Sequence, residues 1–241
     1  MPRFFVPPFS GEETAVTGED GRHIARSLRM KVGEPLTLCD GQGTDYQCEI
    51  TGFSGEEVRV RVLERSPSQS EPSIRVTVYQ GIPKGDKMDA IVQKAVELGA
   101  SEIVPVAMRR CVSRPDEKSA VKKNARWQKI ADEAAKQSGR GILPVVQPSM
   151  EFGKALRRAA ENGPVLLFYE GGGQPLSTAV SPDWKTVSFF IGPEGGVDET
   201  EVQALTESGA ITATLGPRIL RTETAPLAAL SAIMLLTGNL E

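Results

Sequence analysis

Arg218, Arg221 and Glu223 crowd one short segment, LGPRILRTETAPLAAL (residues 215–230), which opens on a glycine–proline turn and runs straight into an apolar stretch. Two cations and a carboxylate ahead of a buried helix could stabilise a developing anion and accept a proton. Two further loops, YEGGGQ (169–174) and IGPEGGVDE (191–199), also carry glycines beside a carboxylate. Each of the three follows a run expected to be a strand, and ligands in parallel α/β sheets gather beyond the carboxyl ends of strands. Glycine lets backbone approach a ligand closely. Together the loops predict a pocket built mostly from main-chain groups, suited to an adenine and a ribose. For any single loop, tight turning alone accounts equally well for the glycines.

Several chemistries are excluded at this level. No GxGxxG follows an early strand and no GxxxxGK[ST] occurs, so neither dinucleotide nor P-loop phosphate binding is signalled. In Gly192-Pro-Glu-Gly-Gly196 the proline removes an amide donor and Glu194 would repel a phosphate. A neutral or cationic cofactor fits better, and the sulfonium of S-adenosylmethionine is one such cation. With a single histidine, His23, and three scattered cysteines, Cys39, Cys48 and Cys111, neither a metal centre nor a Ser-His-Asp triad is expected. Cys39 and Cys48 could face each other across a hairpin, but an odd count without an export signal favours reduced thiols and a cytoplasmic protein. No apolar run is long enough to span a membrane.

The elements that must position these loops fall into two textures. Residues 66–73, SPSQSEPS, read as a linker. Before it apolar residues alternate, as in Val58, Val60 and Val62 spaced by Arg59 and Arg61; Leu36–Cys39 and Tyr46–Ile50 flank a hairpin turn, and a short helix spans roughly Asp20 to Met30. A small β-barrel over residues 1–68 suits this pattern. After it strands and helices alternate over residues 72–241: strands at 75–81, 102–106, 165–170, 187–192 and 211–216, with a helix capped by Asp86, a long helix from about Lys118 to Ser138, a capping box from Asp198 to Glu201, and a last helix from Pro226. The continuous apolar runs at 165–170 and 187–192 are those of parallel strands covered on both faces. The predicted fold is therefore α/β with a parallel sheet, joined to a small β domain.

Charge adds one asymmetry. Net charge is −3, yet residues 109–140 hold ten Lys/Arg against four Asp/Glu. Within the long helix Trp127, Ile130, Ala131, Ala134, Ala135 and Ser138 fall on one face, and Lys122, Arg126, Lys129, Lys136 and Arg140 on the other, broken by Glu133. Such a stripe is either a solvated face or a track for a phosphate backbone.

The pairing of IGPEGG with LGPRILRTETA about twenty residues later resembles the knotted methyltransferases of the SPOUT superfamily. The start MPRFFV, the run His23-IARSLRMKVG, the segment Gln80-GIPKGDKMDAIVQKAVELGASEIVPV and the helix RWQKIADEAAKQSGR resemble one branch, the ribosomal RNA small subunit methyltransferase E family; Ala25-Arg26-Ser27 departs slightly from it. The resemblance implies a PUA-like β-barrel at residues 1–68 and, at 72–241, a SPOUT-type domain whose C-terminal segment is threaded into a deep trefoil knot. It implies S-adenosyl-L-methionine as cofactor, held by Leu167 and Glu170 on the first loop, Ile191, Gly192, Glu194, Gly195 and Gly196 on the second, and Leu215, Gly216, Ile219, Leu220, Thr224 and Ala225 on the third. It further implies a homodimer that methylates N3 of a uridine in the decoding region of 16S rRNA within the small ribosomal subunit.

Chemistry assigns roles beside that likeness. Uridine N3 holds a weakly acidic proton, so a methyltransferase acting there needs a proton acceptor and a group that stabilises negative charge on the imide oxygens. Arg221 is the expected stabiliser. Glu223 and Glu194 are candidate bases; Glu223 is equally explained by the helix N-terminus that follows, and Glu194 by the shaping of its loop. Arg3, Arg22, His23 and Arg29 in the barrel, with Lys122, Arg126 and Lys129 on the long helix, are the candidate RNA contacts. The rival readings are a non-catalytic ribosome-binding factor, which leaves the glycine loops unexplained, and a nucleotide-dependent oxidoreductase, which lacks its fingerprints.

Overall fold

The structure, a computed structural model, describes residues 1–112 and 117–240. Arg114 and Asp116, two of the charges counted above, lie outside the described residues. The chain divides into two compact units, one made of Met1–Glu71 with Ala135–Leu143, the other of Pro72–Ala134 with Pro144–Glu241.

The first unit is built on a five-stranded sheet. Its strands are β1 (Arg3–Phe5), β2 (Glu13–Val16), β3 (Pro35–Cys39), β4 (Thr44–Ser54) and β5 (Glu57–Pro67), in the order β1-β3-β4-β5-β2. β1 runs parallel to β3 and the other ladders are antiparallel. Val58 and Val60 are buried while Arg59 and Arg61 are exposed, the period-two pattern of a strand with one covered face. Phe4, Ile24, Leu36, Leu38, Tyr46 and Ile50 complete its core. β5 reaches Pro67, into the stretch read as linker. The helix expected from Asp20 to Met30 is shorter and split: α1 (Gly18–Arg22) passes into a π-helical turn, His23–Ser27. Arg29, at φ 53°, sits in the left-handed region and halts it.

Cys39 and Cys48 do not face each other. The register sets Cys39 against Asp45 and Cys48 against Leu36. All three cysteines are buried and none is in a disulfide; burial pushes the Cys48 thiol up to about 11.

Arg140 is the clearest departure from the expected basic stripe. It is only 3 % exposed and clasps Glu71, Nε to Oε1 at 2.9 Å and Nη2 to Oε2 at 2.8 Å. Glu71 also accepts the N–H groups of Gly141 and Ile142. The long helix ends at Gln137, and Gly139, at φ 72°, turns the chain off the helical path, so Arg140 leaves the face that helical spacing assigned to it. Lys136 is likewise committed, to Asp20 and to the face of the Phe4 ring.

The second unit is α/β. Its elements are β6 (Arg75–Gly81), α2 (Lys87–Glu97), β7 (Glu102–Ala107), α3 (Glu117–Gln137), β8 (Val145–Val146), β9 (Met150–Glu151), α4 (Phe152–Ala160), β10 (Val165–Phe168), β11 (Gln174–Pro175), α5 (Leu176–Ala179), β12 (Thr186–Ile191), α6 (Glu199–Glu207), β13 (Ile211–Thr214) and α7 (Ala225–Leu236). The last turn of α3 falls in the first unit. The sheet order is β11-β13-β10-β12-β6-β7-β8, with β9 also on β7, and every ladder is parallel. β10 is buried along its whole length and β12 from Val187 onward, as their apolar runs predicted. Tyr79 and Phe190 stack at 4.6 Å within this core.

Two caps differ. Asp198 forms the expected capping box with Glu201 at the start of α6. Asp86 stands at the N-cap of α2 without a capping hydrogen bond; its carboxylate faces Arg126 instead, at 3.8 Å. On α3, Trp127, Ala131, Ala134 and Ala135 are buried and Lys122, Arg126 and Lys129 exposed. α7 buries Pro226, Ala229, Leu230, Ile233 and Met234, yet leaves Leu235 53 % exposed.

Candidate active site

β13, β10 and β12 lie side by side in parallel, so the loops after them emerge at one edge of the sheet. These are the glycine loops singled out from sequence. They enclose a cavity of about 970 Å³ lined from Phe168 to Gly172, Ile191 to Val197 and Ala213 to Thr222, with Ala225.

Of the expected cofactor contacts, Glu170, Ile191, Gly192, Glu194, Gly195, Gly196, Leu215, Gly216, Ile219, Leu220 and Ala225 line the cavity. Leu167 is buried in the sheet and Thr224 stands at the N-cap of α7, and neither is part of the lining. Arg221 lines it and Glu223 does not. Ile219 is 88 % exposed, an apolar side chain held out on the third loop.

The second loop is fixed by close backbone packing. A Cβ on Gly192 would come within 2.7 Å of the Gly196 carbonyl carbon. A Cβ on Gly196, itself at φ 73°, would come within 2.3 Å of a Glu170 carboxylate oxygen. A side chain is thus excluded at Gly192 by the loop's own backbone and disfavoured at Gly196 by its positive φ. Gly192→Ala should force the loop open at a cost of about 1–3 kcal/mol. Cofactor affinity would fall about 10- to 100-fold, measured by calorimetry; unchanged affinity would show that the loop tolerates the methyl group.

Two buried side chains tie the third loop to the second. Thr222 donates its hydroxyl to Gly192 O at 2.8 Å, and Gln80, at the end of β6, donates Nε2 to Thr222 Oγ1 at 3.1 Å and to Gly81 O at 2.9 Å. Arg110 buttresses the second loop from outside, donating Nη1 to Gly195 O at 3.1 Å and standing 3.8 Å from Glu170. Asp198, held below the usual carboxylate range by the hydroxyl and N–H of Thr200, stands 3.6 Å from Arg110 Nε.

The charged groups divide sharply. Arg221 O accepts the N–H groups of Thr224 and Ala225, which fixes the turn into α7 and leaves the guanidinium exposed. Among the described residues no ion pair involves Arg218 or Arg221. Glu194 is firmly engaged: both its oxygens accept the Lys84 N–H, at 3.1 and 3.3 Å, and Oε1 lies 3.0 Å from Lys87 Nζ. Burial pushes this carboxyl up, but its own backbone N–H, the Lys87 ammonium and the Lys84 N–H outweigh burial and hold it below the ordinary value. Glu223 Oε2 lies 3.3 Å from the same ammonium, without hydrogen-bond geometry.

Sequence reasoning assigned no role at the site to Gln80, Lys87, Arg110 or Thr222, although all four lie in segments it singled out. Two of them carried a signal. Gln80 is a polar residue ending an otherwise apolar strand, and Lys87 is a cation at the first position of a helix, where the dipole disfavours it.

Comparison with known proteins bears on this geometry. Residues 69–234 match the RNA methyltransferase domain family, and residues 16–63 the RNA methyltransferase PUA domain family. Over 97 % of its length the chain is 41 % identical to ribosomal RNA small subunit methyltransferase E of Bacillus subtilis, covering 96 % of that protein. This chain belongs to that family. Its relative in Mycobacterium bovis is 33 % identical, over 96 % of this chain and 90 % of that one. The crystal structure of the Neisseria gonorrhoeae member of the family, bound to S-adenosyl methionine, superposes with a TM-score of 0.86 at 35 % identity over 98 % of both chains. The expected PUA-like unit beside a parallel α/β methyltransferase domain is therefore the fold of this chain. The sets of His, Cys, Asp and Glu among the described residues include no group of three placed to hold a metal, and no described helix is long and apolar enough to cross a membrane.

Proposed function

We propose that this protein transfers the methyl group of S-adenosylmethionine to N3 of a uridine in the decoding region of 16S rRNA. The observation that carries the proposal is the cavity closed by the three glycine loops, in a chain of this family. Its lining suits the cofactor: the glycine-rich main chain of the three loops for an adenosine, and the carboxylates of Glu170 and Glu194 for a cation. Leu167 and Thr224, outside the lining, would act by supporting the loops.

When bound, S-adenosylmethionine supplies an electrophilic methyl group on a sulfonium. The protein's part is the other reactant. Arg221, exposed and beside the cavity, places its guanidinium where the imide oxygens gain charge. The N3 proton passes to a carboxylate. Glu194 lines the cavity, but its charged form is favoured by its bonds to Lys84 and Lys87; Glu223, outside the lining and facing the same ammonium, is the other candidate.

RNA would be gripped by exposed cations. His23 and Arg29 in the first unit and Lys122 on α3 are exposed without an ion pair among the described residues, while Arg22 faces Glu56 at 3.6 Å and Lys129 faces Glu133 at 3.8 Å, surface pairs that are weak. Arg3 is held at 2.6–2.7 Å by Asp45, and Arg126 by Asp89, so each would have to give up its partner to reach a phosphate. The uncovered part of α7 supports a homodimer, and membership of the family supports a deep trefoil knot in the second unit. The setting is the cytoplasm, where ribosomes are built.

The test is mass spectrometry of 16S rRNA from cells with and without this protein. One uridine should lose one methyl group, and reverse transcriptase, blocked by N3 methylation, should lose a stop beside it. Identical rRNA from both strains, or a purified protein that ignores saturating S-adenosylmethionine, rejects the reading; the second result would favour a non-catalytic RNA-binding factor.

A further inference from the structure

Lys87 opens α2, two residues after Gly85 and directly after Asp86. A cation at a helix N-terminus opposes the dipole, and Asp86 does not compensate for it, since that carboxylate faces Arg126. Two carboxylates from two different loops compensate instead. Glu194 Oε1 lies 3.0 Å from Lys87 Nζ and Glu223 Oε2 lies 3.3 Å from it. A local rule broken and then compensated by distant residues marks a functional position.

We propose that Lys87 is a positioning residue for methyl transfer, its ammonium tying Glu194 and Glu223 together so that the second and third loops, and with them Arg221, are held in register. The inference rests on the function proposed above. Glu223 is two residues from Arg221, and the carbonyl of Arg221 starts the turn into α7. Fixing Glu223 therefore fixes the base of the arginine. Fixing Glu194, which also accepts the Lys84 N–H, fixes the loop that carries Gly192, Gly195 and Gly196. Without the cation two carboxylates would face each other with no counter-charge, and the charged form of one would be disfavoured. The charged groups that face Lys87 are Glu194 and Glu223; Asp89, on its own helix, is taken up by Arg126 and by Trp127 Nε1 at 3.1 Å.

The experiment compares the intact protein with Lys87→Met and Lys87→Arg, using small subunits from cells lacking the enzyme as substrate. Lys87→Met should lower kcat about 10²-fold with KM for the subunit nearly unchanged; because the Lys84 N–H still holds Glu194, Kd for S-adenosylmethionine should rise far less than kcat falls. The acid limb of its pH–rate profile should move to higher pH, because carboxylates that lose a cationic neighbour take up protons more readily. Lys87→Arg should recover most of the rate. A Lys87→Met enzyme with ordinary kcat, a loss confined to KM, an unmoved acid limb, or a loss that merely follows a lowered Tm overturns the inference. Absence of transfer by the unaltered protein would instead defeat the proposed function and the Lys87 inference with it; transfer by the unaltered protein with an indifferent Lys87 defeats the inference alone.

Discussion

Arg221→Ala lowers methyl transfer about 10²- to 10³-fold, the loss expected when a preorganised charge stabiliser is removed, while S-adenosylmethionine still binds nearly as well. The expectation follows from where the arginine stands. Its side chain is exposed, lines the cavity, and has no carboxylate partner among the described residues. A guanidinium left unpaired beside two carboxylates, Glu194 and Glu223, that are both drawn to Lys87 is available to a substrate anion. Its backbone, in contrast, is tied into the turn before α7 by hydrogen bonds to Thr224 and Ala225, so the loop persists when the side chain is cut back. In the proposed function the cofactor rests on the Gly192–Gly196 loop, which, among the described residues, no hydrogen bond or ion pair of the Arg221 side chain braces. Single-turnover transfer and calorimetric cofactor titration separate the two. Equal losses in both would make Arg221 a cofactor contact, and no loss in transfer would remove it from the chemistry.

Arg140→Ala destabilises the protein by about 3–5 kcal/mol, the usual cost of leaving one member of a buried ion pair alone. Tm should drop by about 10 °C or more for a chain of this size. Glu71 would keep two N–H donors but lose its counter-charge. Glu71→Gln tests the pair from the other side, and the double variant should lose less than the two single losses combined. pH should act through the same group. Burial raises the Glu71 carboxyl, but Arg140 and the N–H groups of Ile142 and Gly141 outweigh burial and hold it below the ordinary glutamate value. A carboxyl depressed in the folded state contributes stability that is complete above the unfolded value, about 4.3, and is lost as pH falls through the lower folded one. Acid unfolding should therefore be less steep in Glu71→Gln than in the parent protein. Melting curves from pH 7 down to pH 3 check both statements; a Tm for Arg140→Ala within a degree or two of the parent would mean the pair contributes nothing.

The sequence was most legible where one residue's chemistry settles its backbone. The strand runs at Val165–Phe168 and Val187–Ile191 are apolar but for Ser188, and both proved buried and parallel. The Asp198–Glu201 spacing is a capping box and formed one. The loops after β10, β12 and β13 announced themselves through glycines, and the cavity lies among them. Legibility failed where a partner far along the chain decides the outcome. Helical spacing placed Arg140 on the basic face of α3, but Gly139 ends the helical path first and Glu71, 69 residues back, claims the guanidinium. Cys39 and Cys48 were read as possible opposites because hairpin register cannot be fixed from turn composition alone; the observed pairing offsets them by three residues along one strand. Arg126 looked free to meet phosphate, since nothing local betrays Asp89 on another helix. Lys87 is the instructive omission. Its charge contradicted its place at the head of α2, and that contradiction was visible before its partners were.

The return of residues 135–143 to the first unit has a consequence for anyone who would separate the two parts. Cutting at the serine–proline stretch yields residues 1–71, a fragment that ends on Glu71 and no longer contains Arg140 or the Gly141 carbonyl that accepts the Cys39 thiol at 3.2 Å. A faithful minimal version of this PUA-like unit needs a graft of that nine-residue tail, and a gene fusion built without it would lack the partners of Glu71 and Cys39.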